Sequence, residues 1–179
     1  MTQAAGSSTA ERRVPLVLIV AAAVCGAALA AVESKPAEMP PRLLINESAS
    51  APRGLYLRRD GAEPAVGRRV VLAPPTPAAR RYLAGLGAPP GMRLLKRVAA
   101  VGGEPVCAAR GQMMTPRGAV TASAHDRRGR PLPAWSGCRI LAADELLLLG
   151  DTPWSFDSRH FGPVRRAQVQ AIYVEVLRW

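Results

Sequence analysis

From Val14 to Val32 the chain runs apolar and uncharged for 19 residues, VPLVLIVAAAVCGAALAAV, directly after the pair Arg12-Arg13. Wound as a helix at about 1.5 Å per residue, that run matches a hydrocarbon core of roughly 30 Å. Two arginines on its N-terminal side hold residues 1–13 in the cytoplasm and send the rest of the chain across. The pattern therefore predicts a cytoplasmic N-terminus (1–13), a transmembrane anchor (14–32), a proline-rich linker (33–42) and one exported domain (43–179). A removable export signal is the competing reading, because AALA within residues 27–30 offers small residues at a cleavage spacing. Both readings export the remaining chain.

Beyond the linker the apolar pattern shortens to strand length. GLYLRR (54–59) and RRVVLA (68–73) read as strands separated by a turn at Asp60-Gly61. PAARRYLAGLG (77–87) reads as a helix, with proline at its start and glycine at its end. MRLLKRVAAV is a strand-like run broken at Gly102-Gly103, and ELLLLGD (145–151) is a buried strand ending in a turn. Residues 108–137, rich in Gly, Pro, Arg and Ser, suggest turns and hairpins outside the core. The tail AQVQAIYVEVLRW alternates with period two through Val169, Ala171, Tyr173 and Glu175, predicting a final strand. The sum is a mainly β domain behind one membrane helix.

Charge and composition change this picture in one respect. The net charge is +11 over 179 residues, but the basic residues fall in scattered pairs with few aromatics between them, which argues against a nucleic-acid partner. Anionic lipid is the simpler counterpart. Of the 24 basic residues only Lys35 and Lys96 are lysines. Arginine stays charged in any protein environment, whereas a buried lysine can lose its proton and act as a base. Lys96 lies in LLKRV, and alternation puts it on one face with Leu94 and Val98 while Arg97 points to solvent.

Export makes the cysteines legible. Cys107 and Cys138 are a disulfide candidate in an oxidising compartment, with two buried thiols as the alternative. No Cys-x-x-Cys or His-x-x-x-His spacing supports a metal. His125 and His160 have no neighbouring ligands and read as surface or loop residues. No Gly-x-Ser-x-Gly elbow is present. A serine activated by a desolvated lysine is then the hydrolytic arrangement that fits, provided a polar group such as Ser155 or Asp157 holds the amine.

Four pieces occur in order: the apolar anchor, SASAP (48–52), LLKRVAAVGGE (94–104) and LLLLGDTPWSFDSRHFGP (146–163). Together they resemble the type I signal peptidases, the serine–lysine membrane proteases, and more closely their conjugative-transfer branch of the TraF type. The resemblance runs from the anchor to about Val164. It departs from the common pattern in Gly-Gly-Glu after the lysine, in Ala51 between serine and proline, and in a Gly150-Asp151 to Ser155 spacing one residue short.

The resemblance implies a signal-peptidase-like β domain outside the membrane and roles for individual residues. Ser50 would be the nucleophile, Lys96 the general base and Asp157 a supporting acid. The Ser48 hydroxyl and the Ser50 N–H would form the oxyanion hole, Ser155 would orient the lysine, and Arg159 would fix the loop. It implies a single-pass protein of the bacterial inner membrane with its catalytic domain in the periplasm. Its partners would be membrane lipid, through the anchor, and a pilin-type precursor whose leader it removes, with transfer to the pilin's own amino terminus as a cyclising variant. No cofactor is needed. A signal peptidase of broad range and a non-enzymatic periplasmic assembly factor are the competing functions.

Overall fold

The computed structural model describes residues 39–72 and 74–179. The expected anchor, and the linker up to residue 38, lie outside the described residues. Among those described, no helix is long and apolar enough to cross a membrane.

Among the described residues eleven strands form two antiparallel sheets. The larger has the order β1-β2-β11-β3-β4-β9-β10, and the smaller β7-β6-β5-β8. The strands of the first are β1 (Leu43–Asn46), β2 (Gly54–Arg58), β3 (Arg69–Leu72), β4 (Leu94–Val101), β9 (Glu145–Leu149), β10 (Val164–Arg165) and β11 (Val169–Arg178). The second is built from β5 (Pro105–Ala109), β6 (Gln112–Thr115), β7 (Gly118–Thr121) and β8 (Gly137–Ile140). The helix α1 spans Pro77–Gly85. Its first turn is capped by the Thr76 side chain, which accepts from the Ala79 N–H at 3.0 Å, and Leu83 and Ala79 are its buried residues.

The central pair, β4 with β9, explains the long apolar runs. Successive side chains of a strand point to opposite faces, and here both faces are covered. Leu146 and Leu148 enter one core with Val70, Leu94, Val98, Leu83 and Phe156. Leu147 and Leu149 enter a second with Ala100, Val106, Met113 and Leu141. A third cluster, Ala51, Tyr56, Val71, Leu95 and Tyr173, lies under the loop that joins β1 to β2. On β4 the alternation is therefore incomplete: Arg97 is exposed as expected, but Leu95 is buried along with Leu94 and Lys96.

Residues 108–137 form the expected turns and hairpins, but part of the segment lies in the cores. Ala108 and Met113 are buried in the second core and Leu132 in the first. The segment's many glycines and arginines mask a period-two pattern only four or five residues long per strand. Cys107 and Cys138 face each other across β5 and β8 and are joined as a disulfide. That bond closes an excursion with a sequence separation of 31, which carries the Asp126–Arg130 turn. In the chain-entropy account such a loop gains roughly 3 kcal/mol from closure. Urea unfolding of the oxidised protein and of Cys107→Ser/Cys138→Ser should differ by about that amount, and coincident transitions would show the bond to be idle.

Candidate active site

The loop between β1 and β2 is organised from its first residue. Asn46 closes β1 and is buried, 6% exposed. Its side-chain amide donates to three carbonyls, those of Ser48 at 3.0 Å, Ala51 at 3.0 Å and Pro52 at 2.9 Å. Its Oδ1 accepts from the Ser48 N–H at 3.2 Å and from the Ser48 hydroxyl at 2.7 Å. A short polar side chain thus substitutes for the strand pairing that the turn lacks. Tyr56, fully buried on β2, donates a second bond to the Pro52 carbonyl at 2.8 Å. The result holds Ser50 half-buried, with Ser48 Oγ 3.0 Å from Ser50 Oγ. Because the single Ser48 proton goes to Asn46, Ser50 donates to Ser48 in this resting arrangement.

Lys96 comes from the middle of β4 and is 3% exposed. Its Nζ donates to Ser155 Oγ at 2.8 Å. Burial strips water from the ammonium and pulls its pKa down from 10.5 to about 8, against the opposing attraction of Asp157. Lys96 forms no ion pair among the described residues. The nearby carboxylates are engaged elsewhere: Asp151 with Arg69 at 2.7 Å and Arg97 at 3.1 Å, and Asp157 with Arg159 at 2.5 Å.

The segment after β9 ties these parts together. The Asp151 N–H donates to the Ser50 carbonyl at 3.0 Å, linking the serine loop to the end of β9. Gly150 sits where a Cβ would fall 1.9 Å from Ser155 Oγ and 3.1 Å from the Ser50 carbonyl oxygen. Only glycine allows the lysine's partner and the serine loop to close on the same point. Asp157 is fully buried and caps the short helix α2 (Ser158–Phe161), accepting from the Arg159 N–H at 3.0 Å. Its other oxygen accepts from the Gly150 N–H at 2.8 Å. Arg159, 2% exposed, returns to Asp157 and donates to the Thr152 carbonyl at 2.7 Å.

Ser50, Ser48, Lys96 and Ser155 line one cleft of about 540 Å³, together with Asn46, Leu95, Trp154 and the Asp126–Arg130 turn. Asp157 and Arg159 lie behind it and act on it through Gly150 and Ser155. Within the cleft the Lys96 amine bonds Ser155 and the Ser50 hydroxyl bonds Ser48, and no hydrogen bond joins Ser50 to Lys96. No group of three or more potential metal ligands occurs among the described residues. His160 is not the surface residue its sequence context suggests. It is 4% exposed, stacked against Phe156 with ring centroids 5.5 Å apart, and its Nδ1 bonds the Pro133 carbonyl at 3.0 Å. From the sequence Asn46 has no assigned role, and Gly150 figures only as part of the Gly150-Asp151 turn, not for the close packing it permits. A signal for Asn46 existed, an asparagine two residues ahead of a serine where a strand gives way to a turn.

Gly150→Ala should displace Ser155, and with it the amine, without disturbing the cores. The expected outcome is a native-like fold by circular dichroism with the Lys96 pKa shifted; an unshifted pKa would show the close packing at Gly150 to be incidental.

Comparison with known proteins gives four results. The chain is 35% identical over 148 residues to a plasmid transfer protein TraF of Escherichia coli, covering 75% of this chain and 82% of that protein. A second Escherichia coli plasmid transfer protein TraF is 41% identical over 56 residues, 30% of this chain and 32% of that one. The crystal structure of a signal peptidase I from Enterococcus faecalis aligns at a TM-score of 0.38 and 18% identity, covering 62% of this chain and 97% of that one. The family described as signal peptidase, peptidase S26, matches residues 8–178. That match takes in the serine loop, the buried lysine and the segment after β9, and with the extended likeness to TraF it shows that the chain belongs to the signal peptidase family, peptidase S26.

Proposed function

We propose that the protein is a serine endopeptidase with a Ser50–Lys96 dyad that removes the leader of an exported precursor. The observation that carries this reading is the buried lysine, its pKa pulled to about 8, on the wall of the cleft that also holds Ser50. Membership of the signal peptidase family supports a preprotein substrate. Likeness to a plasmid transfer protein favours a conjugative pilin over a broad set of secretory precursors. The apolar run 14–32 would anchor the enzyme in the inner membrane, with the β domain in the periplasm.

The chemistry follows from the groups present. Deprotonated Lys96 takes the Ser50 proton once the hydroxyl has turned from Ser48 towards the amine. Ser50 Oγ attacks the scissile carbonyl, and the Ser50 N–H and the Ser48 hydroxyl receive the oxyanion. Ser48 must release Asn46 to do so. Each such donor is worth about a hundredfold in rate. Lys96 then protonates the leaving amine, and water, or the amino terminus of a pilin, resolves the acyl-enzyme. Ser155 keeps the amine aimed, and Asp157 with Arg159 fixes the segment that carries Ser155. No step calls for a cofactor.

Ser50→Ala and Lys96→Ala should each lower cleavage of a pilin precursor by at least about a thousandfold. Lys96→Arg should be as inactive as Lys96→Ala, because guanidinium remains charged. Processing of the precursor by Lys96→Arg would refute the dyad. Since the neutral amine is the active form, kcat/KM should rise about tenfold per pH unit below pH 8 and level off above it. A profile that is flat between pH 6 and 9 would exclude Lys96 as the base. Efficient cleavage of several ordinary secretory precursors would favour a broad-range peptidase instead.

A further inference from the structure

One part of the cleft wall takes no part in the chemistry above. Between β7 and β8 the chain turns at Asp126–Arg130 and brings Arg127 and Arg128 to the cleft lined by Ser50, Lys96 and Ser155. Both are exposed. Asp126, the acid beside them, is consumed within the turn. It accepts from the Arg128 N–H at 2.8 Å, the Arg130 N–H at 2.9 Å and Arg130 Nε at 2.7 Å. The Arg127 guanidinium lies over the ring of Trp154, 4.9 Å from its centroid. The Arg128 side chain has no hydrogen-bond or ion-pair partner among the described residues. Glu47, the other carboxylate on the cleft, belongs to the serine loop.

A guanidinium stacked on an indole is held in place while its N–H donors, which lie in its own plane, stay free. Those donors match the two oxygens of a carboxylate. Trp154 precedes Ser155, whose hydroxyl bonds Lys96, so the stacked pair borders the reacting centre directly. We propose that Arg127 and Arg128 form an anion-recognising subsite that selects precursors carrying an acidic side chain close to the scissile bond. The proposal rests on the peptidase reading for what occupies the cleft. A substrate side chain is favoured over a lipid headgroup because both arginines line the cavity that holds Ser50.

Binding tests this independently of turnover. The full chain, as the Ser50→Ala variant in neutral detergent micelles, is titrated with alanine-rich decapeptides bearing an uncharged fluorophore and blocked ends. One Glu is walked along the peptide against Gln and Lys twins. At one or two adjacent positions Glu should bind roughly two- to fivefold more tightly than Gln, in the range of an exposed charge pair. Arg127→Gln/Arg128→Gln should abolish that preference, and Arg128→Glu alone should turn it towards Lys. No discriminating position, or a preference that survives Arg127→Gln/Arg128→Gln, overturns the proposal. Anionic vesicles that bind in an Arg127/Arg128-dependent way while the peptides show no preference would assign the site to lipid and overturn it equally. Failure of the peptidase reading shows separately, as no Ser50-dependent cleavage of the same peptides by the wild type.

Discussion

Removing one amine from water is the constraint on which the rest of this structure turns. With its pKa lowered from 10.5 to about 8, Lys96 is disfavoured in its charged form by roughly 3 kcal/mol relative to solvent. A globular domain of this size has only a small margin of stability, so the cost is a sizeable fraction of it. The two-sided packing of β4 makes the burial possible. Leu94 and Val98 sit in one core, Leu95 in another, and Lys96 occupies the gap that opens onto the cleft. Had a carboxylate been placed against the amine, the proton would have been retained. The structure instead spends Asp151 on Arg69 and Arg97, and Asp157 on Arg159.

Positioning is handled by neutral groups and by backbone. Ser155 holds the amine, Gly150 lets Ser155 approach, and the Asp151 N–H fixes the Ser50 carbonyl. Asn46 and Tyr56 do the same for the serine loop from the other side, converging on the Pro52 carbonyl. These contacts bring the end of β1, the body of β4 and the end of β9 to one cleft. The buried Asp157–Arg159 pair fits the same logic. Each of its charges is satisfied by the other and by backbone, so it acts as a rigid brace, and its two charges push the Lys96 proton in opposite directions.

Much of this was legible in the sequence because the physics was local. A single retained lysine in an apolar strand, and Ser-x-Ser before proline, mark their own positions. The Leu146–Leu149 run advertised a buried strand, and Pro77 marked the start of α1. What stayed hidden depends on contacts between distant elements. Asn46 matters through three carbonyls of a loop that has not yet formed when the sequence is read. Gly150 matters because Ser155 and Ser50 arrive beside it, and His160 is buried only because Phe156 and the Pro133 carbonyl enclose it. The second sheet was obscured by strands of four or five residues whose exposed positions include the apolar Met114, Val120 and Ile140, so no clean alternation of inward and outward residues shows.

The central claim is that burial brings the Lys96 amine to titrate near pH 8, so that a usable fraction is neutral near physiological pH, and the composition makes it directly measurable. The chain contains two lysines, Lys35 and Lys96, so a protein labelled with ¹³C at lysine Cε in detergent micelles gives two resonances, assigned with Lys35→Arg. That of Lys96 should titrate near 8, well below the free-lysine value of about 10.4. Two resonances that both titrate above pH 10 would contradict the account.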